Sequence, residues 1–303
     1  MKPLLIVIGG PTGIGKTSVA INIAQNLGVE IVSADSRQIF KELSIGTAVP
    51  SNAELSQVKH HFIQTHSVKD NYNASKYETE ALLTIEKLFE KYNKVVLVGG
   101  SGLYIDAVCN GIDELPTISK EVREKFNSIF INEGIVKLQE MLKIVDPGYY
   151  EEVDKKNHKR LLKALEVYEI TGKPYSTFLK KESKERSFDI VKIVLDIQRE
   201  ELYDRINKRV DKMVGAGLED EAKRMVGLRH LTPLKTVGYR EFFDYFDGKI
   251  SKEEAVVQIK NHTRAYARRQ LTWFRRYKDA HWFSPDQVKE INELINSKKV
   301  NDN

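Results

Sequence analysis

The stretch "GGPTGIGKTSVA", residues 9–20, contains a phosphate-binding loop. The residues that satisfy the spacing G-x-x-x-x-G-K-S/T are Gly10, Gly15, Lys16 and Thr17. Glycines let the backbone curl until several N–H groups converge on one anion, and a following helix adds the positive end of its dipole. An apolar run, LLIVIGG, precedes the loop, and apolar residues at helical spacing follow it as far as Gly28. This strand, loop and helix predict phosphate binding but leave its use open.

Further strand-like runs predict the kind of sheet. They lie at residues 30–34, at 94–98 and in FDIVKIVLDI, residues 188–197. Helical patterns separate them, which predicts right-handed crossovers and parallel strands. A long helical pattern, REELYDRINKRVDKMVGAG, follows the last run and ends at Gly215 and Gly217. We expect an α/β protein with a P-loop NTPase-like core, in which helices flank a parallel sheet, plus an all-helical insertion domain.

The insertion is predicted from a change of pattern in the middle of the chain. Residues 113–184 are charged and helical, with EVREKFNSIF, GIVKLQEMLKIV and HKRLLKALEVYEI as candidate helices. The predicted catalytic core is therefore discontinuous, at residues 1–112 and 185–296. Residues 297–303 form a polar tail that we expect to be disordered.

Composition limits the class of protein. A chain of 303 residues with 41% hydrophobic content can bury a sizeable core. The single cysteine, Cys109, excludes an internal disulfide framework and a cysteine-rich zinc module, which indicates a reducing compartment. No segment approaches the roughly 20 apolar residues of a membrane span, and the chain begins with MKPLLIVIGG instead of a cleavable signal. We expect a soluble, unprocessed, monomeric cytoplasmic protein.

The positive charge is modest in sum and uneven in place. The net charge is +5, but residues 255–278 carry seven Lys or Arg and no acidic residue. A second basic run comprises Lys155, Lys156, Lys159, Arg160 and Lys163. Either run alone is equally typical of a solvated helix face, whereas the two together favour a polyanion larger than a nucleotide.

Asp35 follows the second predicted strand, in IVSADSRQIF. Ligands bind at the carboxyl ends of parallel strands, so Asp35 should face the same cleft as the phosphate-binding loop. It could ligate Mg²⁺, act as a general base toward an acceptor, or cap the next helix. The third strand ends in a glycine turn, VGGSG, where a Walker-B acid would stand. The absence of a Walker-B acid at this position argues against a simple ATPase.

An ordered set of motifs carries a family resemblance. GGPTGIGKT, SADSRQIF, IGTAVP, VLVGGSGLY, KRLLKALEVYEITGKPYS, TVGYREFFDY and RAYARRQLTWFRR, in this order, resemble the bacterial tRNA dimethylallyltransferases. The resemblance extends from about Leu4 to Phe283. It implies that the loop grips the diphosphate of dimethylallyl diphosphate with Mg²⁺. The five-carbon group then goes to the exocyclic N6 amine of the adenosine immediately 3′ of the anticodon, and diphosphate leaves.

The resemblance also implies roles on the donor side. Asp35 matches the general base, and Thr12 matches a threonine near the bridging oxygen of the diphosphate. Thr17 is expected to help hold Mg²⁺. Lys223 matches a basic position that clamps the diphosphate. The expected catalytic residues are Thr12, Lys16, Asp35 and Lys223. The expected diphosphate-binding residues are Gly10, Pro11, Thr12, Gly13, Ile14, Gly15, Lys16, Thr17 and Arg224.

On the RNA side, the resemblance implies contacts from several segments. Lys159 and Lys163 stand where the family more often has Gln and Arg, and Ser101 stands where threonine is common. An arginine stripe, Arg264, Arg268 and Arg275, either follows phosphates or stabilises the core, and receives no site role. The expected tRNA-binding residues are Asp35, Ser36, Arg37, Gln38, Ser101, Arg123, Lys159, Arg160, Leu161, Leu162, Lys163, Lys235, Thr236, Val237, Gly238, Tyr239 and Arg240.

Two alternatives remain open at this point. A small-molecule or nucleotide kinase would also use a carboxylate after the second strand, although the basic runs and the missing Walker-B acid disfavour it. A non-catalytic RNA-binding P-loop protein is disfavoured by the presence of Thr12, Lys16, Thr17 and Asp35 together.

Overall fold

The computed structural model describes residues 2–113, 115–179 and 184–298. The chain folds into two compact units, one of residues 1–110 and 185–303 and one of residues 111–184. The insertion was predicted to begin two residues later, at 113, and to end at the same residue. Most of the predicted tail lies outside the described residues, but Ser297 does not belong to it, because it is the last residue of a helix.

The larger unit contains a six-stranded sheet in the order β3-β2-β4-β1-β5-β6. Every neighbouring pair is parallel, as the crossovers predicted. The runs at 4–8, 30–34, 94–98 and 188–197 are confirmed as strands, whereas two short strands were not predicted. The strands are β1 Leu4–Gly9, β2 Ile31–Ser33, β3 His60–His61, β4 Lys94–Val98, β5 Asp189–Leu195 and β6 His281–Phe283.

Helices of the larger unit cover both faces of the sheet, and residues 120–171 contain the helices of the smaller unit. In chain order the α-helices are α1 Lys16–Leu27, α2 Asn52–Leu55, α3 Ala74–Phe89, α4 Gly102–Asn110, α5 Lys120–Val145, α6 Pro147–Glu152, α7 His158–Thr171, α8 Arg199–Gly215, α9 Leu218–Arg224, α10 Tyr239–Phe246, α11 Lys252–Phe274 and α12 Val288–Ser297. The predicted ends at Gly28 and Gly215 are confirmed. Among the described residues, no helix has the length and apolar content needed to cross a membrane.

Alternation along β1 produces two hydrophobic layers. Leu4, Ile6 and Ile8 belong to the layer that includes α1, and Leu5 and Val7 belong to the layer that includes α3 and α10. Successive side chains of a strand point to opposite faces, so a strand buried on both sides is apolar throughout. Both layers together fix the end of β1, from which the phosphate-binding loop emerges.

The smaller unit is helical and has its own core. The three predicted helices are present, although α5 is interrupted at Gly134, which has φ 79° and ψ −176°. Positive φ is accessible to glycine at low cost, so Gly134 permits the break. Apolar residues of α5 and α7 form the core of this unit, among them Phe126, Leu138, Leu142 and Leu165.

Candidate active site

A cavity of about 420 Å³ lies beside the phosphate-binding loop in the larger unit. It brings together residues from several predicted motifs, because β1 and β2 end at the same edge of the parallel sheet. The predicted site residues that line it are Thr12, Gly13, Gly15, Lys16, Thr17, Asp35, Ser36, Arg37, Gln38, Lys235, Thr236, Val237, Gly238 and Arg240.

The phosphate-binding loop is held from several sides. Its glycines Gly10, Gly13 and Gly15 have φ of 148°, 82° and 105°, values that favour glycine. The Thr12 N–H donates to Oε1 of buried Gln270 at 2.8 Å, and Gln270 Nε2 donates to the Gly100 carbonyl at 2.8 Å. Gln270 thereby ties the loop to the turn after β4. The predicted residues Gly10, Pro11 and Ile14 support the loop without lining the cavity.

The glycine turn after β4 is required by close packing. A Cβ on Gly99 would overlap the carbonyl of Ala34, and one on Gly100 would overlap the Gln270 amide. The sequence motif VGGSG therefore allows β4 and the end of β2 to approach closely. Ser101, predicted to bind tRNA, does not line the cavity, and its Oγ accepts from the Ser36 N–H at 2.9 Å. It therefore positions Ser36.

Lys16 lies in the cavity with its ammonium turned to its own loop. Lys16 Nζ donates to the Pro11 carbonyl at 2.7 Å. Burial lowers the pKa of Lys16 to about 7, because the charged form loses hydration. The Asp35 charge opposes this shift of the pKa, and the Arg209 charge adds to it. A bound anion at this position would favour the protonated form.

The Asp35 carboxylate has two differently used oxygens. Oδ1 accepts from the backbone N–H groups of Arg37 at 2.8 Å and Gln38 at 3.2 Å. Among the described residues, no hydrogen bond reaches Oδ2. One oxygen therefore holds the turn after β2, in the manner of the predicted capping role, and the other can receive a proton from a ligand.

Two cavity residues were missed by the sequence analysis. In the described part of the chain, His60 Nε2 and Arg209 Nε are the buried side-chain nitrogen or oxygen atoms without a hydrogen-bond partner. Both residues line the cavity. His60 Nδ1 lies 2.8 Å from the Val58 carbonyl, and burial lowers the pKa of the imidazole, so the bare Nε2 is an acceptor.

A signal for Arg209 was present in the sequence. It follows Leu202 by seven residues and Ile206 by three, which places it on the buried face of α8. An arginine at an apolar position of a helix indicates a specific buried role. Arg209 was not among the predicted site residues. For His60, which lies in a two-residue strand, no such pattern existed.

The diphosphate clamp predicted at Lys223 and Arg224 requires a correction. Both residues are exposed on α9 and neither lines the cavity. On α8, Arg205 Nη1 donates to the Ile14 carbonyl of the loop at 3.0 Å, and Arg209 lines the cavity. Sequence proximity within a charged segment did not distinguish the helix that faces the cavity from the one that faces solvent.

Tyr239 is also placed differently from the prediction. Its side chain is fully buried and donates its hydroxyl to Glu221 at 2.6 Å, so it cannot contact RNA. Its neighbour Arg240 is about half exposed and lies 3.1 Å from Glu241. The segment 235–240 therefore combines cavity residues with one structural anchor.

The basic run of the helical unit is divided by burial. Lys159 and Arg160 are exposed, as phosphate contacts require. Leu161 and Leu162 belong to the core of this unit, which corrects their prediction as tRNA-binding residues. Lys163 is partly buried, and burial lowers its pKa while Glu166 opposes that shift. Arg123 is exposed at the start of α5.

The arginine stripe of α11 makes surface contacts. Arg264 donates to Asn207 at 3.1 Å and lies over the ring of Tyr203, and Arg268 donates to the Tyr203 hydroxyl at 2.9 Å. Arg275 is exposed. The stripe therefore contacts α8 at the surface and does not lie in the core.

Together, the parallel sheet, the glycine-rich loop with Lys16 and the carboxylate after β2 define an α/β protein with a P-loop-like core and a cavity beside that loop. The model of the IPP transferase family matches residues 38–277. The chain is 50% identical over 285 residues to tRNA dimethylallyltransferase 2 of Porphyromonas gingivalis, covering 94% of this chain and 95% of that one. The chain belongs to the IPP transferase family.

Other relatives and solved structures agree. The tRNA dimethylallyltransferase of Christiangramia forsetii is 47% identical over 299 residues, covering 98% of this chain and 99% of that one. The crystal structure of the full-length tRNA isopentenylpyrophosphate transferase from Bacillus halodurans has a TM-score of 0.72 at 33% identity, covering 98% of this chain and 97% of that one. A eukaryotic dimethylallyltransferase described as acting on tRNA has a TM-score of 0.81 at 22% identity, covering 99% of this chain and 81% of that one, which supports the fold.

Proposed function

We propose that this protein transfers the dimethylallyl group from dimethylallyl diphosphate to the N6 amine of the adenosine immediately 3′ of the anticodon in tRNA. The observation that carries the proposal is that Lys16 and Asp35 line one cavity in a member of the IPP transferase family. The Lys16 ammonium suits the leaving diphosphate, and the Asp35 carboxylate suits the attacking amine. The protein is thus a prenyltransferase, and we expect it to act as a monomer in the cytoplasm.

Charge on the departing diphosphate is stabilised by the loop. Lys16 and Arg209 line the same cavity as the loop residues Gly13, Gly15 and Thr17, whose N–H groups suit the diphosphate. Donors fixed where negative charge develops lower the barrier, because they need no reorganisation during the reaction. Thr12 lines the cavity and its hydroxyl suits the bridging oxygen, which receives the electron pair as the allylic C–O bond breaks.

Asp35 removes the proton that the adenine amine must lose. An aryl amine is a weak nucleophile, and its attack on the allylic carbon leaves an extra proton on N6. Oδ2 of Asp35 accepts that proton, while Oδ1 stays bonded to the turn at residues 37 and 38. The new N–C bond, the diphosphate and the protonated carboxyl account for every atom and electron pair.

Mg²⁺ is the cofactor that we propose. Thr17 lines the cavity, and its hydroxyl has no hydrogen-bond partner among the described residues, so it fits as a ligand. No group of three or more His, Cys, Asp or Glu in residues 2–113, 115–179 and 184–298 could hold a metal. The diphosphate would therefore supply further ligands, and the bound ion would neutralise part of its charge.

We assign tRNA binding to two sets of exposed or cavity-lining residues. Ser36, Arg37 and Gln38 adjoin the general base and suit the target adenosine. Lys159 and Arg160 of the helical unit suit phosphates of the anticodon loop. The target base must leave its stack, at a cost of a few kcal/mol that such contacts offset.

Incubation with radiolabelled dimethylallyl diphosphate and unmodified tRNA, followed by nucleoside analysis, tests the function. We expect label on N6 of the adenosine 3′ of the anticodon. ATP with labelled γ-phosphate and small acceptors serves as the parallel assay for the kinase alternative, which the family relationship does not favour. Phosphate transfer from ATP without prenyl transfer would overturn the proposal.

A further inference from the structure

Glu221 is a buried carboxylate with an unusual set of partners. It lies on α9 and is 3% exposed. Oε2 accepts from the N–H groups of Ser44 at 3.1 Å and Ile45 at 2.9 Å, and Oε1 accepts from the Gly46 N–H at 2.9 Å. The Tyr239 hydroxyl gives Oε1 a second bond, at 2.6 Å. No described Lys, Arg or His forms an ion pair with Glu221. Four hydrogen-bond donors therefore hold the carboxylate in place.

These bonds fix a loop at the edge of the cavity. The three N–H groups belong to the successive residues Ser44, Ile45 and Gly46. We call residues 44–48 the 44–48 loop. A Cβ on Gly46 would lie 2.8 Å from Tyr239 Oη, so glycine is needed for the loop to approach the Glu221–Tyr239 pair. Gly46 and Thr47 line the cavity.

The 44–48 loop in turn holds Gln38. Gln38 Nε2 donates to the carbonyls of Thr47 at 3.2 Å and Ala48 at 2.9 Å. Both hydrogens of the side-chain amide are thereby used, and the described residues offer no hydrogen bond to Oε1. Gln38 also donates its backbone N–H to Asp35 Oδ1. Gln38 lines the same cavity as Asp35, and its Nε2 bonds fix the orientation of the amide, which leaves Oε1 as an acceptor.

We propose that Glu221 is a positioning residue for the transfer reaction. It sets the 44–48 loop, whose carbonyls orient Gln38, and Gln38 presents its acceptor oxygen to the amine or ring of the target adenine. Glu221 does not touch either substrate. This inference rests on the proposed function, but its structural part can be measured without it.

The central variant is Glu221→Gln, which replaces one accepting oxygen by a donor of nearly equal size. An NH₂ group cannot accept from the loop N–H groups, so part of the anchoring is lost. We expect kcat for transfer to tRNA to fall by about 10–100-fold, with the KM for dimethylallyl diphosphate within about twofold. Tyr239→Phe, which deletes one hydrogen bond, should lower kcat by roughly 3–10-fold and keeps the test available if Glu221→Gln folds poorly.

The matched control is Glu78→Gln. Glu78 is also buried, and it forms an ion pair with Arg186 at 3.0 Å. Neither residue lines the cavity. It should lose stability with kcat unchanged. In a double-mutant cycle, Gln38→Ala should lower kcat by about tenfold or more in the wild-type background. In the Glu221→Gln background it should lower kcat by less than about threefold, because both substitutions disturb the same acceptor.

Hydrogen exchange distinguishes failure of this inference from failure of the proposed function. The amides of residues 44–46 should exchange faster in Glu221→Gln, and not in Glu78→Gln, whatever reaction the protein catalyses. Unchanged exchange, or additive effects of Glu221→Gln and Gln38→Ala on kcat, would overturn the positioning role. A wild-type protein that lacks prenyl transfer would overturn the proposed function instead.

Discussion

The two oxygens of Asp35 perform different tasks, and two substitutions separate them. Asp35→Asn keeps an oxygen that can accept from the N–H groups at residues 37 and 38, but it cannot take a proton. Asp35→Ala removes both functions. We expect each to lower the transfer rate by ~10²–10⁴, the usual contribution of a positioned base, with only Asp35→Ala losing thermal stability.

Rapid-quench kinetics and thermal denaturation of the two Asp35 variants would check this expectation. Binding of tRNA should remain within a few fold in both. If Asp35→Asn keeps a near wild-type transfer rate, Asp35 is a capping residue and the base lies elsewhere.

The lowered pKa of Lys16 predicts how donor binding depends on pH. With a pKa of about 7 in the free protein, Lys16 is charged below pH 7 and neutral above it. The diphosphate favours the charged form, so binding above pH 7 takes up a proton and the Kd should rise about tenfold per pH unit. Calorimetric titration with dimethylallyl diphosphate between about pH 6 and 9 measures this slope.

Lys16→Arg supplies the control for that slope. Its guanidinium stays charged throughout this range, so the variant should bind donor with little dependence on pH above 7. Titration of the donor itself contributes equally to both proteins. Identical pH profiles would show that Lys16 does not titrate near 7.

At the scale of elements, the turn after β4 depends on glycine for packing. Gly99→Ala would drive a Cβ into the Ala34 carbonyl, one residue before Asp35. Overpacking of this kind costs about 1–3 kcal/mol of folding free energy, and here it would also displace the end of β2. Chemical denaturation and transfer kinetics should both report the change.

Gly227→Ala is the matched comparison for that glycine. No atom lies within 4 Å of a Cβ placed there, and its φ is not positive. Its stability should therefore stay within about 0.5 kcal/mol of wild type, as for other unconstrained surface positions. Equal losses in both variants would refute the packing argument.

Elements that depend on local pattern could be predicted from the sequence, and those that depend on tertiary pairing could not. β1, α1 and Asp35 follow from hydrophobic period, glycine spacing and the common edge of parallel strands. β3 and β6 have two and three residues, too few to show a period. Arg209 and Lys223 both lie in charged helices, and packing alone decides which one is inward. Tyr239 shares a motif with solvent-facing neighbours, but Glu221 and Gly46 make it a core residue.

At the scale of the whole molecule, we propose that Lys159 and Arg160 of the helical unit bind tRNA phosphates, while the larger unit holds the target adenosine and carries out the chemistry. Lys159→Ala with Arg160→Ala should raise the KM for tRNA and leave the Kd for dimethylallyl diphosphate unchanged. Each lost phosphate contact should reduce the log–log salt slope by roughly 0.7–0.9. Lys163 is omitted because it is partly buried.

Lys137→Ala provides a comparison within the same helical unit. Lys137 lies 3.8 Å from Glu133 on α5, outside the basic run of α7. Its salt slope should match that of the wild type. An unchanged slope in the double variant, with activity intact, would show that Lys159 and Arg160 form only a solvated helix face.

The order of the strands affects the tendency of the protein to aggregate at high concentration. The two edge positions of the sheet are occupied by β3 and β6, its two- and three-residue strands. An edge strand exposes unpaired backbone groups that can recruit a foreign strand, and the hazard grows with the length of that edge. Here each edge strand has only two or three residues that could pair with another strand. The architecture that gathers long apolar strands at its centre thereby protects the chain from strand-mediated aggregation.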